Sequence, residues 1–201
     1  MGFVASAAQN LGAARAQMGL SLGWHIVFAC FGVGFPALIL LSEWRGIRGD
    51  ADAAALARRW AKVAGVLFAV GAVSGTILSF EMGLLWPGLM GRFGAVFGVP
   101  FALEGFAFFI EAIFLGIYLY AWDRLRPRVH LASGVPILVA GVASAFFVVA
   151  ANAWMNDPQG FNIVNGQVTN PRPLVAMFNH ATPVQTGGGR GSVRDGRPGR
   201  A

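Results

Sequence analysis

Charged residues fall in clumps along this chain, and the stretches between the clumps are long and apolar. Ala16 to Ser42 contains no charge, and Val63 to Phe80 contains none before running on past Glu81 to Trp86. Phe93 to Trp122 contains only Glu104 and Glu111 before its closing turn, and Leu131 to Asn156 contains none. A helix needs about 20 apolar residues to cross the hydrocarbon of a bilayer. The pattern predicts transmembrane helices near 18–42, 62–86, 95–121 and 132–155. Leu174 to Phe178 opens another apolar run that never reaches spanning length. The expected fold class is all-α, a polytopic membrane helix bundle of about four transmembrane helices plus an incomplete fifth. Residues 1–186 form one membrane domain in this reading.

The polar connections set an expected orientation. Glu43 to Lys62 carries Arg45, Arg48, Arg58, Arg59 and Lys62, and Asp123 to His130 carries Arg124, Arg126 and Arg128. The connection between spans two and three carries only Arg92. Basic loops stay in the cytoplasm, which puts the N-terminus outside. Trp24, Trp86 and Trp154 then fall near outer ends and Trp44, Trp60 and Trp122 near inner ends, as interface anchors. Asp157 to Pro173 is polar, with turn residues at Asp157-Pro158 and Asn170-Pro171, and reads as an outer loop.

Composition agrees with lipid as the solvent. The chain is 56% hydrophobic and 12% charged, where a soluble domain carries roughly 25% charged residues. The formal charge of +6 does not point to nucleic acid. Much of it sits in the last fifteen residues, as Arg190, Arg194, Arg197 and Arg200 against Asp195, and the rest lies in short loops. The single cysteine, Cys30, rules out a disulfide within the chain and reads as a small buried hydrophobe. The first apolar run is too long for the core of a cleaved signal peptide. Glycine pairs at Gly19 and Gly23, Gly71 and Gly75, and Gly94 and Gly98 read as close helix packing.

Ionisable side chains inside a span are costly and mark function. Four lie there: His25, Glu81, Glu104 and Glu111. With the N-terminus outside, His25, Glu81 and Glu104 share the outer third, and Glu111 is nearer mid-depth. Glu104 and Glu111 lie on nearly one helix face, about 10.5 Å apart along the axis. That separation suits two proton stations bridged by water, or a cofactor site with a proton feeder below it. His25 reads either as a histidine hydrogen-bonded to a neighbouring helix or as an axial haem ligand, because neutral imidazole suits iron. Glu104 and Glu111 read either as neutral carboxyls in a helix interface or as relay or metal-site partners. Glu81 reads equally as an interfacial carboxylate, and His130, in a basic loop, as solvated. Phosphate-binding loops, zinc-protease histidine pairs and nucleophile elbows are missing from the sequence.

Several blocks then carry a resemblance. Arg15-Ala-Gln-Met with Gly23-Trp24-His25, Ser74-Gly75-Thr76, and Phe80-Glu81-Met82-Gly83-Leu84-Leu85-Trp86-Pro87 occur in order. So do Phe97-Gly98-Val99-Pro100-Phe101-Ala102-Leu103-Glu104-Gly105, Phe108-Phe109-Ile110-Glu111, Trp122-Asp123-Arg124-Leu125 and Ala151-Asn152-Ala153-Trp154-Met155. Across roughly residues 10–186 the chain resembles the N-terminal part of subunit I of cytochrome bd-type quinol oxidases, in the cyanide-insensitive-like branch. The resemblance implies a quinol:oxygen oxidoreductase of the bacterial inner membrane, working with a subunit II. It implies quinol oxidised on the outer side, b-type haems and haem d as cofactors, and oxygen reduced to water with protons from the cytoplasm. It assigns His25 as the axial ligand of a high-spin haem iron. It assigns Glu104 as the carboxylate beside the oxygen-reducing haem and Glu111 as a proton-delivery carboxylate.

The likeness stops before the chain does. Matching Phe178-Asn179 to the family motif puts the low-spin haem histidine's place at Gly188, inside a Gly/Arg-rich stretch. His180 falls where relatives usually have proline. The quinol loop and the methionine ligand have no counterpart here. Residues 187–201 read as a disordered tail, such as a frameshift or truncated reading frame would give. Three expectations follow for the chain taken alone: no quinol oxidation without the missing part, a haem-free proton-conducting bundle as one alternative, and a non-functional remnant as another.

Overall fold

A computed structural model describes residues 2–187, with side chains from Asn10 onward. The Gly/Arg-rich stretch, with Gly188 in it, therefore lies outside the described residues. Four long helices dominate: α1 (Gly2–Ile47), α2 (Ala51–Leu85), α3 (Pro87–Tyr120) and α4 (Pro127–Asn156). All four are long and apolar enough to cross a membrane. A two-stranded antiparallel hairpin follows, β1 (Asn162–Val164) and β2 (Gln167–Thr169), then two short helices, α5 (Pro173–Met177) and α6 (Thr182–Gly187).

The four spans occur where the apolar runs predict them, but the helices outrun the runs. The basic connection after the first run is almost wholly helical, leaving only Arg48–Asp50 outside α1 and α2. Its residues are mostly Ala, Arg, Leu and Lys, which favour helix in water as well as in lipid. Apolarity marks the part of a helix inside hydrocarbon; helix propensity marks the helix. The turn is made by Gly49 at φ +107, a left-handed conformation that suits glycine. Asp50 then caps α2, its carboxylate accepting from the Ala53 backbone N–H at 2.9 Å. Between α2 and α3 there is no loop: Trp86 alone breaks the helix. Pro87 disfavours helical backbone at the residue before it and serves as the first residue of α3.

Packing follows two pairs, α1 with α2 and α3 with α4. At the end bearing the basic turns, the pairs close on one apolar cluster of Ile39, Ala61, Leu115, Tyr118 and Ile137. At the other end a second cluster of Val96, Phe97, Trp154 and Ala176, with Phe161 and Val168 packed on it, is built without α1 or α2. The hairpin and α5 therefore cap α3 and α4 only.

Several expectations need correction. The polar stretch after α4 is not only loop: Asn165-Gly166, both with positive φ, form the tight turn of a hairpin. Trp154 is not an interface anchor. It is 2% exposed, stacks on Phe97 and donates its indole N–H to the Gln159 carbonyl. Cys30 is exposed on the helix surface rather than buried. A small thiol is apolar enough to face lipid. Of the glycine pairs, only Gly71 and Gly75 meet a neighbour, at Phe28 and His25; nothing lies against Gly19, Gly23, Gly94 or Gly98 among the described residues.

Candidate functional site

His25 is fixed by α2. Its Nδ1 lies 2.9 Å from Ser74 Oγ, and that hydroxyl is also 3.0 Å from the carbonyls of Val70 and Gly71. A serine hydroxyl has one proton to give. When that proton goes to a backbone carbonyl, Ser74 accepts from Nδ1–H, the tautomer in which Nε2 keeps its lone pair. Gly75 makes the approach possible: a Cβ there would stand 3.0 Å from His25 Cε1. Beyond His25, toward the start of α1, Glu81 is buried at 6% exposure. Its Oε1 accepts from Gln17 Nε2 at 3.0 Å and from Ser21 Oγ at 2.8 Å, and its Oε2 is buried without a partner among the described residues.

Glu111 lies between the pairs. A Cβ on Gly141 of α4 would stand 3.6 Å from Glu111 Oε1 and 3.5 Å from the Gly32 carbonyl of α1. That carbonyl has no helical donor, because the residue four further on is Pro36, which lacks an N–H. A buried carboxyl and an orphaned acceptor thus share one spot, with two glycines leaving the room. Phe68 of α2 stacks on Phe108 beside it, with ring centroids 5.2 Å apart. Glu104, half-buried, has its carboxyl beside the Ser144 hydroxyl of α4.

Helix register ties these groups together. His25 is seven residues from Gly32, and Glu104 is seven residues from Glu111 on a helix running the same way. His25 and Glu104 therefore share a layer about 10 Å from the Glu111 level, toward the starts of α1 and α3, with Ser74 beside His25 and Ser144 reaching Glu104 from α4. Among the described residues no hydrogen bond joins α1 or α2 to α3 or α4 on that side of Glu111.

The sequence reading missed a third group. Counting seven onward from Glu111 reaches Tyr118, so the polar stripe of α3 continues one step inward. The Tyr118 hydroxyl donates to Glu43 Oε2 at 2.5 Å, and His130 Nδ1 meets Glu43 Oε1 at 2.7 Å. His130 Nε2 lies 2.9 Å from the Tyr118 carbonyl. His130, expected in solvent, is 2% exposed, because α4 begins at Pro127 and carries it into the bundle. Glu43 was taken for a connection residue, yet it lies inside α1. The available signal was the 104, 111, 118 spacing. His180 is a surface residue beside Gln159 and Asp157.

The family model for cytochrome bd terminal oxidase subunit I matches residues 13–187. The chain belongs to that family. It is 40% identical over 176 residues to the putative cytochrome bd menaquinol oxidase subunit I of Bacillus subtilis, covering 87% of this chain and 40% of that protein. It is 30% identical over 148 residues to the cytochrome bd-II ubiquinol oxidase subunit 1 of Escherichia coli, covering 73% of this chain and 29% of that protein. Among solved structures it resembles the bd oxidase from Geobacillus thermodenitrificans, with a TM-score of 0.85 and 44% identity over 88% of this chain and 41% of that one. The chain thus spans about two fifths of the length of the first of these relatives and of the solved structure. As a member of the cytochrome bd subunit I family it is a polytopic membrane protein of a haem-dependent oxidase lineage.

The donor set fits a haem. Among the described residues no three His, Cys, Asp or Glu side chains cluster as a bare metal ion would require. A haem asks for a single axial donor, and His25 offers Nε2 with its other nitrogen held, the arrangement that orients metal-bound histidines.

Proposed function

We propose that this chain supplies the first four helices of subunit I of a quinol:oxygen oxidoreductase in the bacterial inner membrane, N-terminus outside, and pairs there with a subunit II. Quinol and oxygen are its substrates, and b-type and d-type haems its cofactors. His25 is the axial ligand of a high-spin haem, and Glu104 and Glu111 hold and pass the protons that oxygen reduction consumes. The observation that carries the reading is the His25–Ser74 pair, which holds the imidazole by Nδ1.

When bound, the haem supplies the redox chemistry. The protein's part is positional. Ser74 holds the ring by Nδ1, and Gly75 gives it a flat wall. Glu104 sits in the same layer, where a proton is needed, and Glu111 one step inward can be refilled. The Gly32 carbonyl offers a neutral Glu111 an acceptor, so the carboxyl can hold its proton without a charged partner. The two stations are about 10 Å apart, too far for direct transfer, so at least one water has to bridge them.

The ligand role is tested by Ser74→Ala. Loss of a partner that orients a ligating histidine weakens metal binding about 10- to 100-fold. Haem titration of the purified chain should show that loss, while Thr76→Ala on the same helix should not. Unchanged affinity in Ser74→Ala would remove the support for the ligand role. The chain spans about two fifths of the length of its relatives, and this part by itself is expected not to turn over quinol. Quinol-dependent oxygen uptake by the purified chain would contradict that.

A further inference from the structure

A cavity of about 340 Å³ opens between α2 and the turn that follows α3. Its polar wall is Arg58, Lys62 and Arg124 against the single carboxylate Asp123, with Tyr120 and Trp122 alongside. Asp123 is occupied by Arg58, its ion-pair partner. Among the described residues no carboxylate pairs with Lys62 or Arg124. The wall is therefore cationic and has been left so, although a surface-exposed chain could satisfy such groups with water alone. The Trp122 ring is held from behind by Tyr118 and His130, and the Arg58 guanidinium sits 5.9 Å from its centroid.

Depth decides what kind of anion fits. The charge-free stretch of α2 begins at Val63, directly after Lys62, and the apolar run of α3 ends at Trp122. The cavity mouth is thus at the boundary between hydrocarbon and water, where lipid phosphates lie. An apolar track leads away from it. Val66 lies one turn from Lys62 on α2, and Ile113 and Ile117 share a face of α3 with Tyr120; all three apolar side chains are exposed. A free phosphate would use the cations only. A diacyl lipid would use the cations for its headgroup and the track for a chain.

We infer that this cavity is a binding site for the headgroup of an acidic phospholipid, held by Arg58, Lys62 and Arg124 at the end of the bundle that carries the basic turns. Basic pockets between transmembrane helices bind such headgroups, and each cation near the surface contributes about a five-fold gain in affinity. The site is separate from the His25 layer and does not rest on the haem reading.

The test is native mass spectrometry of the purified full chain, released from detergent with equal amounts of phosphatidylglycerol and phosphatidylcholine. The expected result is a one-to-one phosphatidylglycerol adduct in preference to phosphatidylcholine. It should fall about five-fold in Lys62→Gln and again in the Lys62→Gln, Arg124→Gln double variant. Arg128→Gln, an exposed cation at the same end but outside the cavity, should leave it unchanged, and excess inorganic phosphate should not displace it. Equal adducts of the two lipids, an equal loss in Arg128→Gln, or displacement by phosphate would each overturn the proposal. The last of these would assign the cavity to free phosphate.

Discussion

Single residues carry more of this fold than an apolar bundle first suggests. The Glu43, Tyr118 and His130 side chains come from three helices and are buried together. A buried polar group that loses its partner costs about 1–3 kcal/mol. Glu43→Ala strands both Tyr118 and His130, so it should lower stability in detergent by at least that much. Tyr118→Phe removes one donor and should cost less. Thermal unfolding followed by circular dichroism separates the two, and an equal loss in both variants would argue that the cluster is not cooperative. None of this was legible from residue type. His130 stands among arginines in sequence, and only the helix that starts at Pro127 turns it inward. His25, Glu104 and Glu111 were legible, because a titratable group in a charge-free run stands out by cost alone.

At the scale of elements, the apolar runs located the helices and misjudged their ends. Lipid dictates where side chains must be apolar, while caps and propensities dictate where the backbone stops being helical, and the two boundaries differ by eleven residues at the start of α2. The α1–α2 turn is the clearest case. There the Ala53 N–H, and after it Arg45, hold the Asp50 carboxyl below its ordinary pKa. A carboxyl lowered in the folded state stabilises it at pH above its unfolded value, and that contribution is lost as pH falls through the lowered value. Thermal midpoints measured down the acid range should therefore drop less steeply in Asp50→Asn, which keeps a capping oxygen without the charge. Identical acid slopes would contradict the cap's role. The α3–α4 contact is equally specific. A Cβ on Gly134 would run into Leu40 and stand 3.0 Å from Tyr118 Cε2. Gly134→Ala should cost about 1–3 kcal/mol by overpacking, where Gly116→Ala, with nothing nearby, should be close to neutral.

For the whole molecule, the half that holds the starts of α1 and α3 matters most. Two helix pairs share a core at the basic end, but toward the other end only α3 and α4 are capped, by the hairpin and α5. His25, Ser74 and Glu104 lie where, among the described residues, no hydrogen bond joins the pairs. Sequence placed His25 and Glu104 at one depth by counting from the ends of the spans. It had no way to show that Ser74 holds the imidazole, or that Pro36 leaves a carbonyl beside Glu111, because both depend on contacts between helices far apart in sequence. Large apolar side chains such as Leu20, Phe80 and Phe106 remain exposed. In lipid or against a subunit they are in their proper solvent.

The central claim is that His25 is the axial donor of a haem held between the two pairs. The most direct measurement is an optical spectrum of the chain purified in detergent, dithionite-reduced minus oxidised, with His25→Ala beside it. The account expects a haem band in the chain that is lost in His25→Ala. A band of equal size in both, or no haem in either, would contradict it.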